Sequence, residues 1–264
     1  MIDVKQLTRD FNLIREKSPL VHNITNFVVM NNTANGLLAI GASPVMAHAV
    51  EEMEDMIAIA SALVINMGTL SKRWVEAMLL AGKAAKARKI PVIFDPVGAG
   101  ATPYRSETAS IIIKECKPDI IRGNASEIMS LVKSDTITKG VDSAAKSESA
   151  LEMGKELALQ IGAVVSISGQ EDFITDGKNV NTVKNGSLMM PKVTGLGCTA
   201  SSITGAFAAV NRDMLAAASH AMAVMGVAGE LAAQKSDGPG SLQVHFLDTL
   251  FNLTEDILIK KLRQ

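Results

Sequence analysis

The segment Val193-Thr194-Gly195-Leu196-Gly197-Cys198-Thr199-Ala200 sets two glycines one residue apart, just before a run of small residues from Ser201 to Ala206. Glycine lets a backbone approach a ligand closely. A helix starting there aims free N–H groups and its positive dipole end at the same point. Such a point is an anion pocket of the kind that holds a transferring phosphoryl group. Cys198 falls in the first turn of that helix, where a thiolate is favoured. The same residues equally suit a tight turn into a buried helix carrying a small core cysteine. Read as Gly195-x-Gly197-x-x-Ala200, they also match a dinucleotide fingerprint, with Asp213 at the spacing of a ribose contact. That acid should end a second strand, whereas residues 198–210 read as one helix, so NAD binding is not expected. Walker A, GxSxG and HExxH patterns are all absent.

Three further segments carry polar groups with a use. Asp95-Pro96-Val97-Gly98-Ala99-Gly100 follows a short apolar run. An acid there can hold Mg²⁺ near a phosphate, usually through water, or simply accept loop N–H bonds. In Arg122-Gly123-Asn124-Ala125-Ser126-Glu127 the arginine can clamp a phosphate. Asn124 and Glu127 stand at capping-box spacing, so Glu127 either starts a helix or reaches a metal. Val21-His22-Asn23-Ile24-Thr25-Asn26-Phe27, followed by Asn31, Asn32 and Asn35, is dense in amides. These could bind a neutral polar heterocycle or cap and turn the chain. The four histidines have no ligand spacing.

Bringing such loops together requires strands that end side by side. Short, nearly continuous apolar runs at 62–67, 90–95, 119–122 and 163–168 read as strands covered on both faces, each ending in a polar or glycine-bearing loop. Helical patterns lie at 71–88, 106–117, 125–133 and 143–161, and again at 198–210, 213–233 and 239–262. This alternation predicts a largely parallel sheet flanked by helices, with ligands bound beyond the carboxyl ends of the strands. Turns at Asp176-Gly177 and Asn185-Gly186 predict antiparallel hairpins at one edge. With no charged linker and no repeat, residues 1–264 are expected to form one α/β domain.

Composition narrows the function classes. Hydrophobic residues make up 47% of the 264, which excludes disorder as the dominant state. Lys plus Arg number 26 against 27 for Asp plus Glu, so the chain has no general attraction for nucleic acid or an anionic membrane surface. Two cysteines without a CxxC pair argue against a disulfide framework and for the cytoplasm. The first residues lack the apolar core of a secretory leader, and apolar stretches are broken before 18 residues, so no membrane span is expected.

Taken together, these segments resemble the hydroxyethylthiazole kinase family along nearly the whole chain. Six carry the resemblance, in the family's order: Val21 to Asn26, Gly41-Ala42-Ser43-Pro44-Val45-Met46, Asn66-Met67-Gly68-Thr69, Asp95 to Ala99, Arg122 to Glu127, and Thr194 to Cys198. The resemblance implies a ribokinase-like α/β fold: a largely parallel central sheet with helices on both faces and short antiparallel edge strands. It implies a homotrimer with sites at subunit boundaries. It further implies transfer of phosphate from ATP to the primary alcohol of 4-methyl-5-(2-hydroxyethyl)thiazole, in thiamin salvage. By position, Met46, Gly195, Asn26, Gly68 and Cys198 would contact the thiazole alcohol. Arg122, Ser168 and Thr194 would meet ATP, and Asp95 and Glu127 would organise Mg²⁺ through water. Gly195, Gly197 and Cys198 would carry catalysis. Where ribokinase relatives usually place an Asp base, Cys198 stands here, as in thiazole kinases, and is expected to orient the hydroxyl more than to abstract its proton. The competing readings are a kinase of the same fold acting on a pyrimidine or pyridoxal alcohol, a cysteine hydrolase needing a histidine beside Cys198, and a non-catalytic binding protein.

Overall fold

Runs such as Ala62–Asn66 and Val92–Asp95 have almost no polar side to offer water, and every one of their residues is buried. In the computed structural model, which describes residues 1–133 and 146–264, they form the middle of an eight-stranded sheet. The strands are β1 (Leu20–Ile24), β2 (Ser43–Val45), β3 (Ala62–Asn66), β4 (Val92–Asp95), β5 (Ile120–Asn124), β6 (Val164–Ser168), β7 (Asp172–Thr175) and β8 (Val180–Val183). Their order is β2-β1-β3-β4-β5-β6-β7-β8. Pairing is parallel from β2 to β6 and antiparallel from β6 to β8.

The helices are α1 (Val4–Lys17), α2 (Met30–Ile40), α3 (Met53–Ile59), α4 (Lys72–Arg88), α5 (Pro103–Cys116), α6 (Ala125–Lys133), α7 (Lys146–Ile161), α8 (Leu196–Val210), α9 (Met214–Ala233), α10 (Pro239–Asn252) and α11 (Glu255–Lys261). One core packs α1, α2 and α8 to α11 on one face of the sheet. A second packs α3 to α7 on the other. α8 is built from small residues, buried from Leu196 to Ala208 except at Gly197 and Cys198, and lies directly against β1, β3 and β4. It therefore delivers its N-terminus to the carboxyl ends of the central strands.

The expected parallel sheet with helices on both faces is present, and several local expectations are corrected. The amide-rich segment at the N-terminus contains β1, a strand the periodicity did not reveal. Its His22 and Asn23 are buried at 0% and 1% exposure, so polar residues interrupt the apolar signature of a strand that is nonetheless covered. Asp176-Gly177 does turn β7 into β8. Asn185-Gly186 makes no second hairpin. The Asn185 side chain instead bonds Lys261 O, the Glu230 carboxylate and the Arg263 N–H, tying the C-terminus down. The helix expected at 239–262 is two helices. Thr254 caps the second through the Ile257 N–H, and the preceding Leu253 is fully buried. α5 starts at Pro103 rather than 106, because Thr102 caps it. Of the helix expected at 143–161, residues 143–145 lie outside the described residues. Finally, contrary to expectation, α9 is long and apolar enough to cross a membrane, although 72% of that stretch is buried in the fold.

Candidate active site

β1 has β2 on one side and β3 on the other, so the crossover from β1 to β2 and the one from β2 to β3 run in opposite directions. Ligands of such sheets bind where the order reverses, beyond the strand ends. Asn26 lies two residues past β1, and Asn66 is the last residue of β3. At this switch point Asn26 Nδ2 donates to Asn66 Oδ1 at 2.9 Å and to Cys198 Sγ at 3.5 Å. Asn66 Nδ2 donates to Asp95 Oδ2 at 2.9 Å, and Ser201 Oγ donates to the same oxygen at 2.7 Å. Four buried side chains, from the loop after β1, the ends of β3 and β4, and α8, thus form one chain of hydrogen bonds reaching the cysteine.

Two glycines make this geometry possible. Gly68 donates its N–H to Asn66 Oδ1 at 2.9 Å, and a Cβ on it would lie 2.5 Å from Asn26 Nδ2. Gly195 caps α8 with φ 87°, a left-handed conformation that suits glycine. The start of α8 lies within reach of Arg122 from β5. Arg122 is 8% exposed, and its Nη1 donates to Gly197 O at 3.0 Å. Its Nε is buried without a hydrogen-bond partner. A buried guanidinium with a spare donor at a helix N-terminus suits an anion.

Asp95 is pushed up to about 6, chiefly by burial and partly by the charge of Glu127; Arg122, Ser201 and Asn66 pull it back. Glu127 closes the capping box with Asn124: its Oε2 accepts the Asn124 N–H and its own N–H meets Asn124 Oδ1. Its Oε1 accepts the Gly98 N–H at 2.9 Å. Among the described residues no cluster of three or more His, Cys, Asp or Glu could enclose a metal. Two mutually repelling carboxylates fit a cation of a different kind, Mg²⁺ held through water and substrate phosphates. Each Glu127 oxygen has one N–H and a lone pair to spare, and Asp95 Oδ1 takes no hydrogen bond among the described residues.

A place in the first turn of a helix favours a thiolate, but at Cys198 burial acts against it. Burial, aided by the Asp95 charge, pushes the thiol up to about 11, outweighing the amides and Arg122 that act the other way. The histidine a cysteine hydrolase would need is elsewhere, since His220 Nδ1 bonds Asp10 at 2.8 Å. Other expected residues lie around this centre. Met46 is half-buried just after β2, Thr194 is exposed just before the α8 cap, and Ser168 ends β6 with Oγ 3.4 Å from Gly123 O. Beyond Ser168, Asp172 accepts the Gly169 N–H and is pushed up to about 6 by burial. Sequence reasoning gave no role to Asn66, Ser201 or Arg105. Asn66 does stand in the Asn66-Met67-Gly68-Thr69 segment, at the end of a strand, which is the one signal that marks it.

A parallel sheet bearing an acid at the end of a central strand, opposite a glycine-capped helix N-terminus and a buried arginine, defines a ribokinase-like phosphotransferase. Likeness in fold to the pyridoxal kinase from Staphylococcus aureus in complex with AMP-PCP and pyridoxal agrees, with TM-score 0.60, 16% identity, and 80% of this chain and 88% of that one covered. Within that class, the sequence profile of the hydroxyethylthiazole kinase family matches residues 11–256, and the chain belongs to this family. It is 55% identical over 259 residues to the hydroxyethylthiazole kinase of Leptospira biflexa, covering 98% of this chain and 97% of that one. It is 56% identical to that of Syntrophus aciditrophicus, covering 95% and 93%. The structure of the hydroxyethylthiazole kinase protein from Pyrococcus horikoshii OT3 superimposes with TM-score 0.92 at 39% identity, over 98% of both chains.

Proposed function

We propose that this chain transfers the terminal phosphoryl group of ATP to the primary alcohol of 4-methyl-5-(2-hydroxyethyl)thiazole, giving the thiazole phosphate and ADP in thiamin salvage. The observation that carries the chemistry is Arg122, buried with an unpartnered Nε beside the glycine-capped start of α8. Family membership carries the choice of alcohol.

In this reading the α8 amides from Gly195 to Cys198 hold the transferring phosphoryl group, and Arg122 binds the phosphates of ATP with Ser168 and Thr194 beyond it. Asn26, Met46, Gly68 and Gly195 line the alcohol's pocket. Asp95 and Glu127 would hold Mg²⁺ through water, which when bound offsets phosphate charge. Cys198 keeps its proton at neutral pH, so it orients the hydroxyl by hydrogen bonding. A loose phosphoryl-transfer transition state needs little deprotonation of the attacking alcohol. Positioning and fixed dipoles then supply most of the rate. One domain of residues 1–264, working in the cytoplasm as a homotrimer, completes the proposal. Exposed Phe27 and Val28, next to Asn26, support a subunit boundary at the pocket.

The test is ADP release with Mg-ATP and, separately, the thiazole alcohol, pyridoxal and a hydroxymethyl-pyrimidine. Release with the thiazole alone is expected. Release with another alcohol instead would keep the phosphoryl chemistry and overturn the substrate. Thiazole binding without turnover would point to a binding protein.

A further inference from the structure

Arg105 stands outside every motif that marks the site. It lies in the first turn of α5, where Thr102 Oγ1 accepts its backbone N–H at 3.3 Å, so its side chain starts from a fixed helix end. Its Nη1 donates to Met67 O and to Val97 O, both at 2.7 Å, and its Nη2 donates to Gly68 O at 2.8 Å. These carbonyls belong to two different loops. Met67 and Gly68 follow β3, and Val97 follows β4. A planar fork of five N–H donors suits several acceptors at fixed angles, whereas a lysine offers one compact charge.

Both loops lead into the site. The Gly68 peptide is pinned on both sides, its N–H by Asn66 and its carbonyl by Arg105. Against it packs the Asn26 side chain, in the space a Cβ would fill. Directly after Val97 comes Gly98, whose N–H holds Glu127 Oε1 at 2.9 Å. One guanidinium therefore sets the position of the pocket-lining peptide relative to the amide that orients Glu127. No ion pair joins Arg105 among the described residues, so its charge is spent on these carbonyl dipoles.

We propose that Arg105 is a positioning residue for phosphoryl transfer, coupling the loop that receives the alcohol to the Glu127 side of the site. The proposal rests on the kinase reading above. Misplacement of such a loop by about 1 Å can lower the rate on the order of 10²-fold.

The experiment compares wild type, Arg105→Ala and Arg105→Lys by ADP-release kinetics. Calorimetric titration of the thiazole alcohol into the metal-free, nucleotide-free proteins is the second measurement. Arg105→Ala should lose on the order of 10²-fold in kcat/KM for the alcohol, and weaken its direct binding by more than it raises the KM for ATP. Methylguanidinium added to Arg105→Ala should restore part of both losses, because it replaces the missing fork. Arg105→Lys should stay close to Arg105→Ala, since one ammonium cannot span both loops, and it carries the test if the alanine variant does not fold. Wild-type alcohol binding and kinetics in Arg105→Ala would overturn the proposal. So would equal losses toward ATP and alcohol that methylguanidinium does not rescue, which is the signature of a merely structural role. A wild-type protein that binds the alcohol without releasing ADP would instead overturn the kinase reading. Direct binding in the variants would then still decide whether Arg105 holds the pocket.

Discussion

Asp95 and Asp10 are both buried carboxylates, and each accepts two side-chain hydrogen bonds on a single oxygen. Asp95 Oδ2 takes Asn66 and Ser201; Asp10 Oδ2 takes Asn211 Nδ2 at 2.6 Å and His220 Nδ1 at 2.8 Å. Their settings differ. Asp10 sits inside α1 against α9, with Phe207 edge-on to the His220 ring at 6.1 Å, and the Asp213 N–H donates to Asn211 Oδ1. Its bonding partners come from the end of α8 and from α9, within the helical layer. Asp95 lies at a strand end facing glycine-bearing loops, beside a second acid, an arginine with a spare donor and a thiol. Buried polar networks of similar bonding can therefore serve folding or chemistry. What separates them is place: Asp10 lies inside the helical layer, whereas Asp95 stands at the carboxyl edge of the sheet beside an arginine with an unpartnered donor.

The largest effect that tests this comparison is on rate. Asp95→Asn keeps an oxygen able to accept from Asn66 and Ser201 but removes the charge. The turnover number should fall on the order of 10³-fold, while the melting temperature should not fall, since a buried charge has been removed. A variant with near-normal turnover would break the distinction. The converse substitution is Asp10→Ala, which strands two buried donors. Unfolding in urea should show a loss of roughly 2 to 3 kcal/mol, with turnover per folded enzyme unchanged. Loss of turnover without loss of stability would place Asp10 on the wrong side of the comparison.

A smaller effect concerns pH. Burial pushes His220 below its ordinary 6.5, against the pull of Asp10, Asp213 and Asp3. The unfolded chain takes up a proton as pH falls through 6.5, whereas the folded chain resists it. Stability from this residue is thus full above that pH and is lost as pH falls from 6.5 toward the folded value. Melting temperatures at pH 7.5 and 5.5 should differ more for wild type than for His220→Gln, whose amide can still reach Asp10. Equal differences would show that another group sets the acid limb.

These contrasts also explain what the sequence did and did not disclose. Asp95, Arg122, Glu127 and the Gly195-to-Cys198 turn were legible because each is a side chain or glycine at the end of an apolar run. Short spacing around it suggested the local chemistry. β1 was not, because His22 and Asn23 are polar residues buried by the strands and helices around them, a fact that depends on distant parts of the chain. Arg105 was invisible for another reason. Its partners are backbone carbonyls of Met67, Gly68 and Val97, and a carbonyl has no residue type to read. The Asp10–Asn211–His220 cluster likewise joins residues 201 and 210 positions apart. Local motifs mark where a site opens to its ligand; the groups that brace it are recruited by topology.

Cys198 offers the finest division between bracing and chemistry. Its thiol, pushed up to about 11, stays protonated at neutral pH, and Asn26 holds the sulfur from one side. General-base assistance is typically worth on the order of 10² to 10⁴-fold, so a site that dispensed with it needs its rate from elsewhere. If Cys198 only orients the hydroxyl, Cys198→Asp keeps an acceptor at that position and adds a basic one. Turnover should then hold or rise modestly, despite the neighbouring Asp95 charge. An inactive but folded Cys198→Asp would mean that a second carboxylate cannot be tolerated beside Asp95. The neutrality of the thiol, rather than its hydrogen bonding, would then be what the site requires.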